Sequence, residues 1–97
     1  MSHTKYSDKD SQNIVWGYAK TILGLDPKKY RLDPYGTKIC YTSYGKTSDM
    51  GWQIDHITPL NRGGSNDIRN LQALHWFVNQ SKGDSLVKRS RHSKRNQ

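Results

Sequence analysis

The scarcity of apolar residues constrains this chain more than any other feature. Only 32% of its 97 residues are hydrophobic, and the mean hydropathy is −1.00. Such a composition would suit a disordered chain, but disordered segments are poor in aromatics. This sequence has three Trp, six Tyr and one Phe. Its core must be small and lean on Trp16, Trp52, Trp76, Phe77 and the tyrosines. A domain of this length without staples is marginal, or is helped by a bound ion. The length fits one domain over residues 1–97, with a loose N-terminus at 1–10 and a basic tail at 88–97. A single cysteine, Cys40, excludes an internal disulfide and a zinc site built from paired cysteines. No stretch approaches the roughly 18 apolar residues of a membrane span, and the N-terminus does not read as a secretory signal.

Charge narrows the partner. Sixteen Lys and Arg face eight acidic residues, for a net charge of +8 and a pI near 9.8. That balance suits a phosphate backbone, although basic charge serves solubility equally well. All eight acidic residues are Asp. Without Glu, a paired-Glu glycosidase and a HExxH metalloprotease are both excluded.

The periodicity predicts a helix from about Ser11 to Leu25, with Ile14, Tyr18, Ile22 and Leu25 on one face, Val15, Ala19 and Leu23 beside them, and Asp10 or Ser11 as its cap. Asp33-Pro34-Tyr35-Gly36 reads as a turn. Lys38 to Tyr44 reads as a short extended piece. Gly45-Lys46-Thr47 superficially suggests a phosphate-binding loop. Cys40 stands where that motif's first glycine belongs, and no helix pattern follows, so the suggestion fails. Trp52 to Thr58 alternates as a strand and is closed by Pro59. Arg62-Gly63-Gly64-Ser65-Asn66-Asp67 is a turn-rich loop. Asn70 to Leu74 is a second extended piece or the lead into a helix, which is expected over His75 to Ser81. From Lys88 onward the tail has five Lys and Arg and no apolar residue, and reads as a solvated arm.

Trp52 to Asp84 holds the residues that bear chemistry. Hydrolysing a phosphodiester requires an activated water, stabilisation of charge on the phosphorane and help for the departing 3′ oxygen. His56 can take a proton near neutrality. Asp55 and Asn79 offer the oxygen ligands that a hard ion such as Mg²⁺ or Mn²⁺ wants. Asn70 can fix the imidazole or pin the loop beneath it. Each residue alone has an ordinary structural explanation; their order and spacing around Gly63-Gly64 carry the weight.

Asp55-His56-Ile57-Thr58-Pro59, Gly63-Gly64, Asn70-Leu71 and Asn79-Gln80-Ser81-Lys82 together resemble the HNH endonuclease family, over about a third of the chain. Tyr44-Gly45 and Gly51-Trp52 also look like its small stand-alone members. The resemblance implies an α+β fold, a ββα-metal finger with the N-terminal helix packed on it. It implies His56 as general base, Asp55 and Asn79 as ligands of one Mg²⁺ or Mn²⁺, and Asn70 ordering the loop and orienting His56. Arg62, Arg69 and Lys82 would contact DNA phosphates. The implied product is a nicked DNA strand with 5′-phosphate and 3′-hydroxyl ends. Many members carry Cys-x-x-Cys pairs that bind a structural zinc. This chain lacks them, so no structural zinc is expected, and the Trp- and Tyr-rich half is expected to take over that role by packing. His75, one helical turn before Asn79, reads as a packing residue where other members keep a cysteine, or else as a further metal ligand or phosphate contact. A monomer or weak dimer and a cytoplasmic home complete the expectation. The alternative is a basic nucleic-acid-binding module without catalysis; a small interaction protein with incidental charge is a weaker third.

Overall fold

The computed structural model describes residues 7–82 and 89–92, and the backbone alone of Lys82. It is an α+β structure with two helices and two small antiparallel sheets. Helix α1 spans Lys9–Tyr18. Strands β1 (Lys20–Thr21), β2 (Tyr30–Leu32) and β3 (Lys38–Cys40) form a three-stranded sheet in that order. Strands β4 (Trp52–His56) and β5 (Leu71–His75) form a hairpin, and α2 (Trp76–Lys82) follows β5 directly.

Helix α1 begins earlier and ends sooner than its periodicity predicts. Asp8 is the cap, its side chain accepting from Ser11 N at 2.9 Å, so Lys9 and Asp10 are helical and not loose. The end at Tyr18 has a tertiary cause. The guanidinium of Arg31 donates at 3.0 Å to the carbonyls of both Gly17 and Ala19, supplying partners that a further helical turn would otherwise supply. Lys20 and Thr21 then pair with Leu32 and Arg31. The buried face is also rotated from the expected one. Val15 and Trp16 enter the core, whereas Ile14 is 48% exposed, Tyr18 41% and Leu25 37%.

The core joins α1, β3 and one face of the hairpin: Val15, Trp16, Ile39, Trp52, Ile54, Leu71 and Ala73. Two tryptophans lie within it, and Tyr41 and Tyr44 pack against them. The ring of Trp16 lies 5.2 Å from that of Trp52 and 5.5 Å from Tyr41, and Tyr44 packs edge-on against Trp52 at 4.9 Å. The indole nitrogens of Trp16 and Trp52 donate to the carbonyls of Pro27 and Tyr41, which satisfies their one polar atom inside the core.

Asp33, only 3% exposed, ties the small sheet to the hairpin. Its Oδ1 accepts from Tyr35 N and Thr37 N at 2.9 and 2.8 Å, which builds the turn expected there, and its Oδ2 accepts from His75 N at 3.1 Å. His75 uses both ring nitrogens: Nε2 donates to the Asp49 carbonyl at 2.7 Å and Nδ1 accepts from Phe77 N at 3.1 Å, opening α2. Trp76 adds two bonds to the same 48–51 loop, from its indole to Ser48 O and from its backbone N to Gly51 O.

The basic tail departs from its reading as a solvated arm. Lys88 and residues 93–97 lie outside the described residues, but 89–92 lie along β5. Arg91 donates from Nε to the Leu71 carbonyl at 2.9 Å, and its guanidinium carbon sits 3.9 Å from the Tyr18 ring centre. Arg89 N donates to the Tyr35 hydroxyl at 2.8 Å. Burial on this edge lowers the Arg91 pKa, with Tyr18 opposing the shift.

Candidate active site

The hairpin register places every expected site residue on the β4–β5–α2 unit or its loop. Pairing runs unbroken from Trp52↔His75 to His56↔Leu71. Side chains alternate along a strand, so Trp52, Ile54 and His56 share the face turned to the core, while Gln53 and Asp55 share the other. The strand ends at His56 and not at Thr58. Asp55 and His56 therefore leave the chain on opposite sides of the last strand residues, one buried and one half-buried.

Beyond His56 the loop is clamped by Asn70. Its Oδ1 accepts from Thr58 N at 2.8 Å, and its Nδ2 donates to Thr58 O at 3.0 Å and Ser65 O at 2.7 Å. Its backbone carbonyl accepts from Ile57 N, continuing the ladder by one bond. The two glycines make this loop possible. Gly63 has φ +92°, and a Cβ on Gly64 would fall 1.8 Å from the Thr58 carbonyl oxygen, an approach open only to glycine.

All three side-chain bonds of Asn70 go to loop backbone, and it is Asn66 that meets the imidazole. His56 Nε2 lies 2.7 Å from Asn66 Oδ1. An amide oxygen accepts, so in this contact Nε2 is the donor. Sequence reasoning treated Asn66 only as a turn residue. Its position ten residues after His56 becomes meaningful once Asn70 folds the loop back.

On the opposite face, Asp55 is 5% exposed and its Oδ2 accepts from Gln72 Nε2 at 2.9 Å. Asn79 reaches the same face of β4 from α2, donating through Nδ2 to Gln53 Oε1 at 2.6 Å. Gln53 precedes Asp55 by two residues, about 7 Å along the strand. The donor chemistry fits a hard divalent ion: a buried carboxylate and an amide whose nitrogen is turned to Gln53, leaving its carbonyl as the opposite end. No group of three or more His, Cys, Asp or Glu that could hold a metal occurs among the described residues.

The cations are placed unequally. Arg62 ends a short 3₁₀ turn and is exposed. Arg69 is held by Asp67 in a two-pronged pair, Nε to Oδ1 and Nη2 to Oδ2, both 3.0 Å. Arg69, by side-chain and then backbone hydrogen bonding, holds the Asp67 carboxyl down to about 2, and Asp67 in turn raises the Arg69 pKa. The side chain of Lys82 lies outside the described residues.

A two-stranded hairpin, a glycine-clamped loop carrying a histidine held by an amide, and a short helix returning an amide to the hairpin make a ββα arrangement. Residues 39–85 match the HNH endonuclease family. No curated protein and no solved structure matches the chain.

Proposed function

We propose that the chain is a metal-dependent HNH endonuclease that hydrolyses phosphodiester bonds of DNA and nicks one strand of a duplex. The observation that carries this reading is His56, set at the end of β4 with Nε2 against Asn66 and adjacent in sequence to the buried carboxylate of Asp55. With Nε2 protonated, Nδ1 takes a proton from water as that water attacks phosphorus in line with the departing 3′ oxygen. A P–O bond forms to the water oxygen and the P–O3′ bond breaks, the departing 3′ oxygen taking a proton from solvent water, which leaves 5′-phosphate and 3′-hydroxyl ends. Asp55 and Asn79 would hold one Mg²⁺ or Mn²⁺, which when bound stabilises charge on the phosphorane and the leaving oxygen. Asn70 keeps the loop, and through it Asn66, under the imidazole. Arg62 and Lys82 neutralise flanking phosphates. Arg69 contributes to DNA binding only by exchanging Asp67 for a phosphate.

Supercoiled plasmid incubated with Mg²⁺ or Mn²⁺ tests this. Wild type should accumulate the relaxed form first, because one chain has one cutting centre. His56→Ala should lose about 10²-fold or more in rate, the usual contribution of a general base. Asn66→Ala should lose rate without losing DNA affinity. Equal cutting by wild type and His56→Ala, or no cutting with any divalent ion, overturns the assignment and leaves a DNA-binding module.

A further inference from the structure

Gln72 is a fully buried amide, 1% exposed, at the centre of the hairpin. It pairs across the ladder with Asp55. Nε2 donates to Asp55 Oδ2 at 2.9 Å and to the Arg89 carbonyl at 3.1 Å, and Oε1 accepts from Arg91 N at 2.7 Å. An amide has two N–H donors and one carbonyl, so both hydrogens and the oxygen of Gln72 are engaged. The three bonds fix which way the amide points. If the 89–91 backbone left, nothing in this set would stop the amide turning its oxygen toward the Asp55 carboxylate, which would repel it.

We infer that Gln72 is the positioning residue of the Asp55 carboxylate, and that docking of Arg89–Arg91 on β5 sets the orientation in which Gln72 does so. The C-terminal basic segment thereby supports the metal-binding face, in addition to any attraction it has for phosphates. Arg91 is the anchor of that docking, through the Leu71 carbonyl and the face of Tyr18. The inference rests on Asp55 being a metal ligand, as proposed above. Groups that orient a metal's ligands commonly contribute ten- to a hundredfold in metal affinity.

The test uses the full chain without DNA and reads Mn²⁺ binding from the electron paramagnetic resonance signal of the free ion. Gln72→Met keeps the volume and removes all three bonds. It should weaken Mn²⁺ binding about tenfold or more and lower kcat on plasmid while KM for DNA stays within about twofold. Arg91→Ala should weaken Mn²⁺ in the same direction by a smaller factor. The double variant should be no weaker than Gln72→Met alone, since both changes act through one amide. Near-ultraviolet circular dichroism without metal checks that each variant is folded; if Gln72→Met is not, Arg91→Ala carries the test. Wild-type Mn²⁺ affinity in the folded variants, or strictly additive losses, overturns the inference. Asp55→Ala separates the two levels. If it binds Mn²⁺ as wild type does, the metal assignment itself fails; if it loses Mn²⁺ while Gln72→Met does not, only the role of Gln72 fails.

Discussion

Two amides divide the work around His56, and only one was legible in the sequence. Asn70 stood out because it completes an ordered set of polar residues. Asn66 lay in a run of turn formers, where an Asn needs no further explanation. Its contact to the imidazole exists because Gly63 and Gly64 let the loop pass over Thr58. Gln72 was silent for a different reason: its partner Asp55 is 17 residues away, and only the strand register aligns them. The Asp67–Arg69 pair behind the same loop gives a pH prediction at this scale. The Asp67 pKa is lowered to about 2 in the fold, from an ordinary value of 3.8. A lowered carboxyl pKa adds stability that is complete above the unfolded value and fades as pH falls through the folded one. The melting temperature of wild type should therefore exceed that of Asp67→Asn above about pH 4, and the gap should narrow as pH drops toward 2. A gap independent of pH over that window would show that the pair does not act through charge.

At the scale of elements, β4 was readable from its alternation, a local signal, and α2 was expected close to where it lies, while β5 was left between an extended piece and the lead into that helix. The helix α1 boundary was not. Apolar residues continue at helical spacing through Leu25, but Arg31 takes the carbonyls of Gly17 and Ala19, and a two-residue strand replaces the next turn. Tertiary partners of this kind override periodicity, and the burial of Trp16 while Ile14 and Tyr18 stay exposed departs from it too. The Asp33 junction was equally hidden, since an Asp before Pro reads as a turn and nothing more. Replacing Asp33 with Ala leaves three backbone N–H groups, those of Tyr35, Thr37 and His75, without their acceptor. Bonds to a charged group, and the cost of stranding buried donors, put the loss at about 2–4 kcal/mol. For a chain of this size that is a fall in melting temperature on the order of 10–20 °C. A change under about 3 °C would mean that the sheet and the hairpin are held together by packing alone.

For the whole molecule, the net charge of +8 suits a phosphate backbone and solubility alike, and does not say where a partner docks. The described cations differ in availability: Arg62 is exposed, Arg69 is committed to Asp67, and Arg91 is laid against Tyr18. Binding to a short duplex should weaken as salt rises, with a slope set by the number of phosphates neutralised. Arg62→Ala should reduce that slope by about one unit, and Arg91→Ala should change it less. Equal reductions from the two would mean that the tail meets the backbone of the DNA as the loop does. No described helix is long and apolar enough to cross a membrane.

The fastening of Asp33, His75 and the 48–51 loop has one more consequence. These residues grip the base of α2 through carboxylate, imidazole and carbonyl groups of the chain itself. A chelator added to the protein should then switch off cutting while leaving the scaffold standing, and restoring Mg²⁺ should return activity without a refolding step.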